Sequence, residues 1–433
     1  MSAPTAKGWC PSALRPMESG DGYLVRIKPR SARLAADRLR AIADVAARFG
    51  NGLVDLTNRG NLQIRGLTRA SLDDFSSWVQ ASGLASGTPS AEAIRNILAD
   101  PLGSDNPSAT FDSHTLARQM ATALEETASL HDLPEKVDIL VDAGGPLGLT
   151  DSTAAVMIRA EGNICRIDLA GGRTGRSMPV ADIVPAVLRL LGCLLAWIEA
   201  ADRRPPMARR RMAHMVDARG ADVVFDAATV GGTVVQAREG SVAPPQALFG
   251  FHAVGSKTGY LGAGAPFGSL QTDDLRLLAD LADAYGDGAV RLTPWRAIVL
   301  AGVPVRNAAA IAMAAAGRGL IVSADDSRRR VIACAGAPGC SAGLSPTRSD
   351  AEQFLDAACP IDGTVHLSGC RKGCAHPRPA RWTAVATAPG RFDVIRNGAV
   401  TDPPVRRAVA TADLAATMAD LDDRSVDAAW AAA

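Results

Sequence analysis

The sequence predicts an α+β protein of about three domains, one of them duplicated and split by another. Three observations carry this. Leu39 to Gly52 (LRAIADVAARFGNG) and Leu275 to Gly288 (LRLLADLADAYGDG) share seven identities in fourteen positions at a constant offset of 236. The segment between the copies has strand and helix patterns of its own. The last third, after the second copy, carries most of the close-spaced cysteines.

Each copy reads as an amphipathic helix. Leu39, Ile42, Val45, Ala46 and Phe49 recur at helical spacing, and a glycine follows at the C-terminal end. A strand candidate follows each helix, Leu53 to Arg65 and Ala289 to Leu300, with Leu56-Thr57 matching Leu292-Thr293 at the same offset. Copies this far apart cannot form a solenoid, whose units stack at periods of about 20 to 50 residues. Between them, Val137 to Ala143, Ala154 to Ile158 and Ile164 to Leu169 read as strands and Ile183 to Ala200 as a helix. Near the C-terminal cysteines, the capping-box pattern Ser349 to Glu352 predicts the start of a helix that ends near Cys359.

Composition narrows the function classes. Of 433 residues, 47% are hydrophobic and 21% charged, enough to build large cores and too apolar for global disorder. Lys+Arg 46 against Asp+Glu 45 leaves a net charge of +1, which argues against a nucleic-acid partner and makes any anion site local. The apolar stretch Ile183 to Ala201 is interrupted by Arg189 and Glu199 and reads as a packed helix, with no membrane partner expected. Met1 to Arg15 lacks the continuous apolar core of a signal peptide, so a cytoplasmic location is expected. The arginine-rich run Arg203 to Arg211 (RRPPMARRR) reads as a solvated linker. The run Gly262 to Gly268 (GAGAPFG) reads as a turn, because Pro266 and the missing G-x-G-x-x-G spacing defeat a nucleotide loop.

The cysteines give the strongest chemical signal. Cys334-x5-Cys340 and Cys370-x3-Cys374 lie 29 residues apart, each pair set among small residues that let backbone N–H groups approach sulfur. Four thiolates in that setting suit an iron–sulfur cluster. Structural zinc prefers knuckles with two to four intervening residues, so the five-residue spacing favours the cluster. Cys165, Cys193 and Cys359 read as buried or structural. Cys10, in the loop-like KGWCPSALRP, is left between a structural and an active-site role. His376 is either a neighbour of the cluster or a surface residue.

The strand of the first copy supplies the second signal. A period of two puts Arg59, Asn61, Gln63 and Arg65 on one face, with Leu62 and Ile64 on the other. The equivalent face of the second copy is Trp295, Ala297, Val299 and Ala301, so the fold itself does not demand the polar quartet. Such a face suits a ligand carrying many carboxylates.

Together these features resemble the nitrite/sulfite reductase superfamily, almost end to end. Thr57-Asn58-Arg59-Gly60-Asn61-Leu62-Gln63 resembles the family strand that carries a tetrapyrrole-binding arginine. Arg95-Asn96 and Leu133-Pro134-Glu135-Lys136 resemble motifs at the start of the family's central domain. The resemblance implies duplicated ferredoxin-like half-domains at 1–88 and 236–318, a central α/β domain at 89–235 and an iron–sulfur domain at 319–433. The sulfite and nitrite reductases place two lysines where this chain has Gly148 to Ile158 (GLTDSTAAVMI), a stretch with no lysine. A siroheme-dependent nitrite or sulfite reductase is therefore the second reading.

Cys10-Pro11, Gly20-Asp21-Gly22, Leu292-Thr293-Pro294-Trp295-Arg296 and Ser368-Gly369-Cys370-x3-Cys374-Ala375-His376-Pro377 are most similar to the precorrin-3B synthase branch of that superfamily. That branch implies an oxidoreductase of aerobic cobalamin biosynthesis, a monooxygenase hydroxylating precorrin-3A at carbon 20 with lactone formation. It also implies a 4Fe-4S cluster on Cys334, Cys340, Cys370 and Cys374, a mononuclear non-haem iron, and reducing equivalents ultimately from NADH. An external electron-donor protein and dioxygen are the implied partners. Arg59, Asn61, Gln63, Arg65, Arg95, Arg296 and Lys372 are the implied tetrapyrrole contacts. No two-His-one-carboxylate pattern for the mononuclear iron is visible, and no residue is assigned to catalysis.

Overall fold

In the computed structural model, residues 10–149, 152–200, 211–236, 247–357 and 362–430 are described. Arg203 to Arg210 of the basic run, and Cys359, lie outside them. Among the described residues, four sheets organise the fold. The duplication extends well beyond the fourteen-residue match. Helix Ala36–Phe49 recurs as Thr272–Tyr285, helix Leu72–Ala81 as Ala308–Gly317 and strand Leu53–Leu56 as Ala289–Leu292, all at the same offset of 236.

The two copies complete each other's sheets. The first orders Met17–Ser19, Gly22–Ile27, Leu62–Leu67 and Leu53–Leu56, and its fifth strand is Ser269–Gln271 from the second copy. The second sheet in turn takes Arg33–Ala35 from the first copy, paired with Ala289–Leu292. Each edge thus finds backbone partners that it would otherwise leave open. The apolar faces of both sheets and both long helices merge into one core that includes Leu39, Ile42, Ile64, Leu275, Leu278 and Leu300. Reciprocal surface ion pairs, Arg40–Asp280 and Arg276–Asp44, both at 2.8 Å, repeat the symmetry. Exposed pairs of this kind contribute little energy.

The strand candidates of the sequence are corrected here. Leu53 to Arg65 is a hairpin, Leu53–Leu56 and Leu62–Leu67, and Ala289 to Leu300 is another, Ala289–Leu292 and Ala297–Pro304. Both turns are built alike. The Thr57 N–H donates to Asn61 O (3.0 Å) and the Asn61 N–H to Thr57 Oγ1 (3.1 Å). In the second copy Thr293 and Ala297 make the same two bonds, each at 3.2 Å. The turn needs one residue in the left-handed region, filled by Gly60 (φ 63°) and at the matching position by Arg296 (φ 56°). Arg59 and Asn61 therefore sit in a turn, off the strand face that carries Gln63 and Arg65. The turn residues Asn58, Gly60 and Asn61 were the signal for it.

The inserted segment forms a six-stranded sheet from Ile97–Ala99 to Thr233–Gln236, covered by helices Ser113–Glu126 and Ile183–Glu199. The second helix is long and apolar enough to cross a membrane, yet Ile183, Val187, Leu190 and Leu194 bury against the central core. The expected strand Ile164 to Leu169 is found at those bounds. The fourth sheet begins with two parallel strands, Val331–Ala333 and Val365–Ser368. The helix expected to start at Ser349 starts earlier, spanning Thr347–Asp356 without a side-chain cap. There the Asp350 carboxylate accepts bonds from Ser345 (2.6 Å) and Thr411 (2.9 Å).

Leu278 is fully buried where the two copies meet. Leu278→Ala is expected to cost about 2–5 kcal/mol and, because the core is shared, to lower the urea midpoint of both copies together. Two separated unfolding transitions would contradict a shared core.

Candidate functional site

Parallel pairing brings the cysteines together. Ala333 is in register with Leu367, so the C-terminal ends of the two strands lie side by side. Cys334 and Cys370 follow those ends directly or within two residues, and Cys340 and Cys374 follow in the loops. The Gly369 N–H donates to Cys334 Sγ (3.2 Å), and a Cβ on Gly369 would meet that sulfur at 3.4 Å. Burial pushes the Cys374 thiol up, with the Cys370, Cys334 and Cys340 thiols adding to it and Lys372 opposing. The Cys370 thiol is likewise raised by burial first, then by Cys340 and Cys334. Four thiols gathered at these strand ends, with a backbone N–H on Cys334 Sγ, are a donor set that fits an iron–sulfur cluster. Among the described residues, no three His, Cys, Asp or Glu side chains crowd around a single ion position. Donors so scattered do not fit a mononuclear iron.

The first copy grips the cysteine loop. Arg65, 4% exposed, makes a two-pronged pair with Asp21 (2.9 and 3.0 Å), reaches Asp55 at 3.4 Å and donates to Gly339 O. Asp55 also accepts from Arg348 of helix Thr347–Asp356 at 2.7 Å. Gly20 lies so close to the loop that a Cβ there would stand 2.1 Å from Pro338 O.

An open cavity of about 460 Å³ lies between the two hairpin turns, the central sheet and the loop after Cys374, within the size range of small-molecule sites. Of the expected ligand contacts, Arg59, Asn61 and Arg296 line it. Arg59 is already ion-paired with Asp138. Arg296 donates to Ala375 O (2.9 Å), the residue after Cys374. Four others are engaged away from the cavity wall. Gln63 accepts from Arg26 (3.0 Å) and Arg65 holds the cysteine loop. Arg95, 1% exposed, joins Glu125 (3.1 Å) and Lys28 O. Lys372 is exposed and acts on the Cys370 and Cys374 thiols.

Sequence reasoning missed several residues here. Arg328, Arg329 and Arg378 line the cavity, with Arg329 stacked on Phe249 at 4.6 Å. The basic run just before Cys334 was the signal for the first two. His366 is fully buried with neither ring nitrogen hydrogen-bonded. Burial, then His376 and Arg296, push it down to about 3. His376 lines the cavity 5.6 Å from it. Cys10 lies off the cavity, its N–H on Glu135 (2.5 Å). Ser152, Thr153 and Ala154, from the lysine-free stretch Gly148 to Ile158, line part of the wall. Cys165 is core, its thiol pushed up to about 12 by burial.

Comparison with known proteins follows this geometry. Residues 15–81 and 252–316 match the nitrite/sulfite reductase ferredoxin-like half domain. A precorrin-3B synthase from Sinorhizobium sp is 30% identical over 413 residues, 92% of this chain and 84% of that protein. A ferredoxin–nitrite reductase from Synechococcus elongatus is 25% identical, over 86% of this chain and 77% of its own. The Mycobacterium tuberculosis NirA structure superposes with a TM-score of 0.71 at 17% identity, covering 91% of this chain and 79% of that one, which supports the fold.

Two outcomes are expected. Arg65→Ala leaves Asp21 without its cation, while Asp55 keeps Arg348, and is expected to cost about 3 kcal/mol, read by chemical denaturation. Lys28 donates to Glu92 O, Ala93 O and Asn96, and burial lowers its ammonium from 10.5 to about 8. Between those values the unfolded chain binds the proton that the folded one has lost, so stability rises with pH across that window, by about 3 kcal/mol. Lys28→Met is expected to flatten the rise; an unchanged pH profile would contradict it.

Proposed function

The chain belongs to the precorrin-3B synthase family of the nitrite/sulfite reductase superfamily and is an enzyme of the oxidoreductase class, and from that premise we propose the reaction it performs. It hydroxylates precorrin-3A at carbon 20 with an oxygen atom from dioxygen and closes a lactone from the ring A acetate, in aerobic cobalamin biosynthesis. Precorrin-3A, dioxygen, two electrons and two protons become product and one water: one oxygen atom becomes the hydroxyl on carbon 20, the acetate oxygen bonds to the neighbouring ring A carbon, and the double bond between those two carbons is consumed. The observation that carries this reading is the cavity: arginines at its edges, an apolar wall and no lysine at Ser152 to Ala154. A small oxyanion would find little compensating charge at that wall, whereas a macrocycle fringed with carboxylates reaches the arginines from the centre.

Arg59, Arg296, Arg329 and Arg378 bind the acetate and propionate arms, each charge-assisted contact supplying about 1.5–3 kcal/mol. Asn61 adds a neutral polar contact. Leu98, Phe267 and Trp295 lie against the ring and exclude water from it. Arg65 and Arg95 hold the elements that present these contacts, and Gln63 orients Arg26. Lys372 steadies the thiolates. A 4Fe-4S cluster held by Cys334, Cys340, Cys370 and Cys374 supplies electrons singly when bound. They come from an external donor protein, ultimately from NADH, in the cytoplasm.

Anaerobic purification followed by precorrin-3A, a reductant and labelled dioxygen tests the reading: one labelled oxygen is expected in the product. An intense siroheme band in the purified protein, with no labelled product, would move the assignment to a siroheme-dependent reductase. Because Arg59 already has Asp138 as a partner, Arg59→Ala is expected to weaken precorrin-3A binding by about tenfold, ~1.4 kcal/mol, with cluster absorbance unchanged. Equal affinity would remove Arg59 from the ring contacts.

A further inference from the structure

The internal repeat supplies its own control for Arg296. At the matching position of the first hairpin stands Gly60, and both residues are left-handed, with φ 63° and 56°. Glycine takes that conformation freely, whereas an arginine there is strained. The turn closes with the same threonine bonds in both copies, so the fold alone does not call for an arginine. Space has also been made for its side chain, since a Cβ on Gly268 would meet Arg296 Cδ at 2.5 Å.

The guanidinium is placed between the loop after Cys374 and the cavity. It donates to Ala375 O at 2.9 Å, one residue beyond Cys374, and it lines the cavity. Burial opposes its charge most, Asp55 supports it, Arg348 opposes it, and Cys334 adds a smaller support through its field. Arg59 and Arg65, by contrast, are each ion-paired to carboxylates of the chain. Among the described residues, Arg296 has no carboxylate in ion-pair range.

We propose that Arg296 is the charge that links the cavity to the cluster, docking the cysteine loop through Ala375 O and raising the cluster's reduction potential until a ligand carboxylate pairs with it. Reduction here is the arrival of one electron from the donor protein at the cluster, with no bond made or broken. A nearby positive charge favours the reduced form. A carboxylate in the cavity cancels that charge, so occupancy lowers the potential, and by linkage reduction weakens carboxylate binding by the same factor. This rests on the cluster part of the proposed function and not on the identity of the substrate.

The test is a redox titration of the intact protein followed by electron paramagnetic resonance, alone and with uroporphyrin, an octacarboxylate tetrapyrrole, as the probe. Wild type is expected to show a lower midpoint potential when uroporphyrin is bound. Arg296→Gln and Arg296→Gly are expected to start at the lower potential and to lose the response. Arg296→Lys is expected to keep most of both. Arg296→Gly, which relieves the left-handed strain, is expected to melt no lower than wild type. A wild-type potential that ignores bound uroporphyrin, or a Gln variant with wild-type potential, overturns the proposal. Loss of the cluster in the Gln variant but not in the Lys variant also overturns it, by making the charge a retention device. A wild-type protein with no cluster would instead sink the cluster reading itself.

Discussion

The reciprocal exchange of one short strand between the two copies is the constraint on which the rest depends. Ser269–Gln271 completes the first sheet and Arg33–Ala35 the second, so neither copy closes its hydrogen-bonding edge or its core alone. Exchange fixes the relative placement of the copies, and that placement brings the two hairpin turns face to face. A Cβ on Gly60 would lie 3.5 Å from Leu292 O of the opposite hairpin. The cavity is the space this approach leaves beside the central sheet. Its cationic edge comes from both copies, Arg59 from one turn and Arg296 from the other.

Duplication followed by divergence explains how charge is distributed around that space. Arginines that bear load are neutralised: Arg65 by Asp21 and Asp55, Arg95 by Glu125, Arg291 by Asp287. Burying such pairs contributes little net stability, but breaking one leaves a costly lone charge, which makes them rigid struts. The cavity arginines differ by degrees. Arg59 and Arg328 have carboxylate partners, while Arg329 rests on an aromatic ring and Arg296 on a carbonyl. Cations held by neutral groups keep their field for an incoming anion. The cysteine loops are fixed at the ends of two parallel strands and gripped by Arg65 through Gly339 O, and the segment after Cys374, Ala375 to Arg378, borders the same space.

Much of this was legible in the chain. The offset of 236 revealed the duplication because a repeated hydrophobic pattern survives divergence. The two cysteine pairs marked a candidate ligand set because ligand spacing is local. Apolar runs gave the central strand Ile164 to Leu169 and the helix from Ile183 because burial imposes a period. The polar quartet misled because Arg59, Asn61, Gln63 and Arg65 alternate like a strand face, although Gly60 among them turns the chain.

What the sequence determined was therefore what neighbouring residues settle among themselves: elements, their repetition, and the four thiols. What tertiary structure decided was which charges are spent and which are left. Arg65 and Arg95 look as available as Arg59 when read in one dimension, and Arg329 and Arg378 look no more so. Whether a guanidinium faces a carboxylate or a cavity depends on groups as far away as Asp138 from Arg59 or Gly339 from Arg65. Electrostatic neutralisation acts through space, and only the folded chain sets those distances.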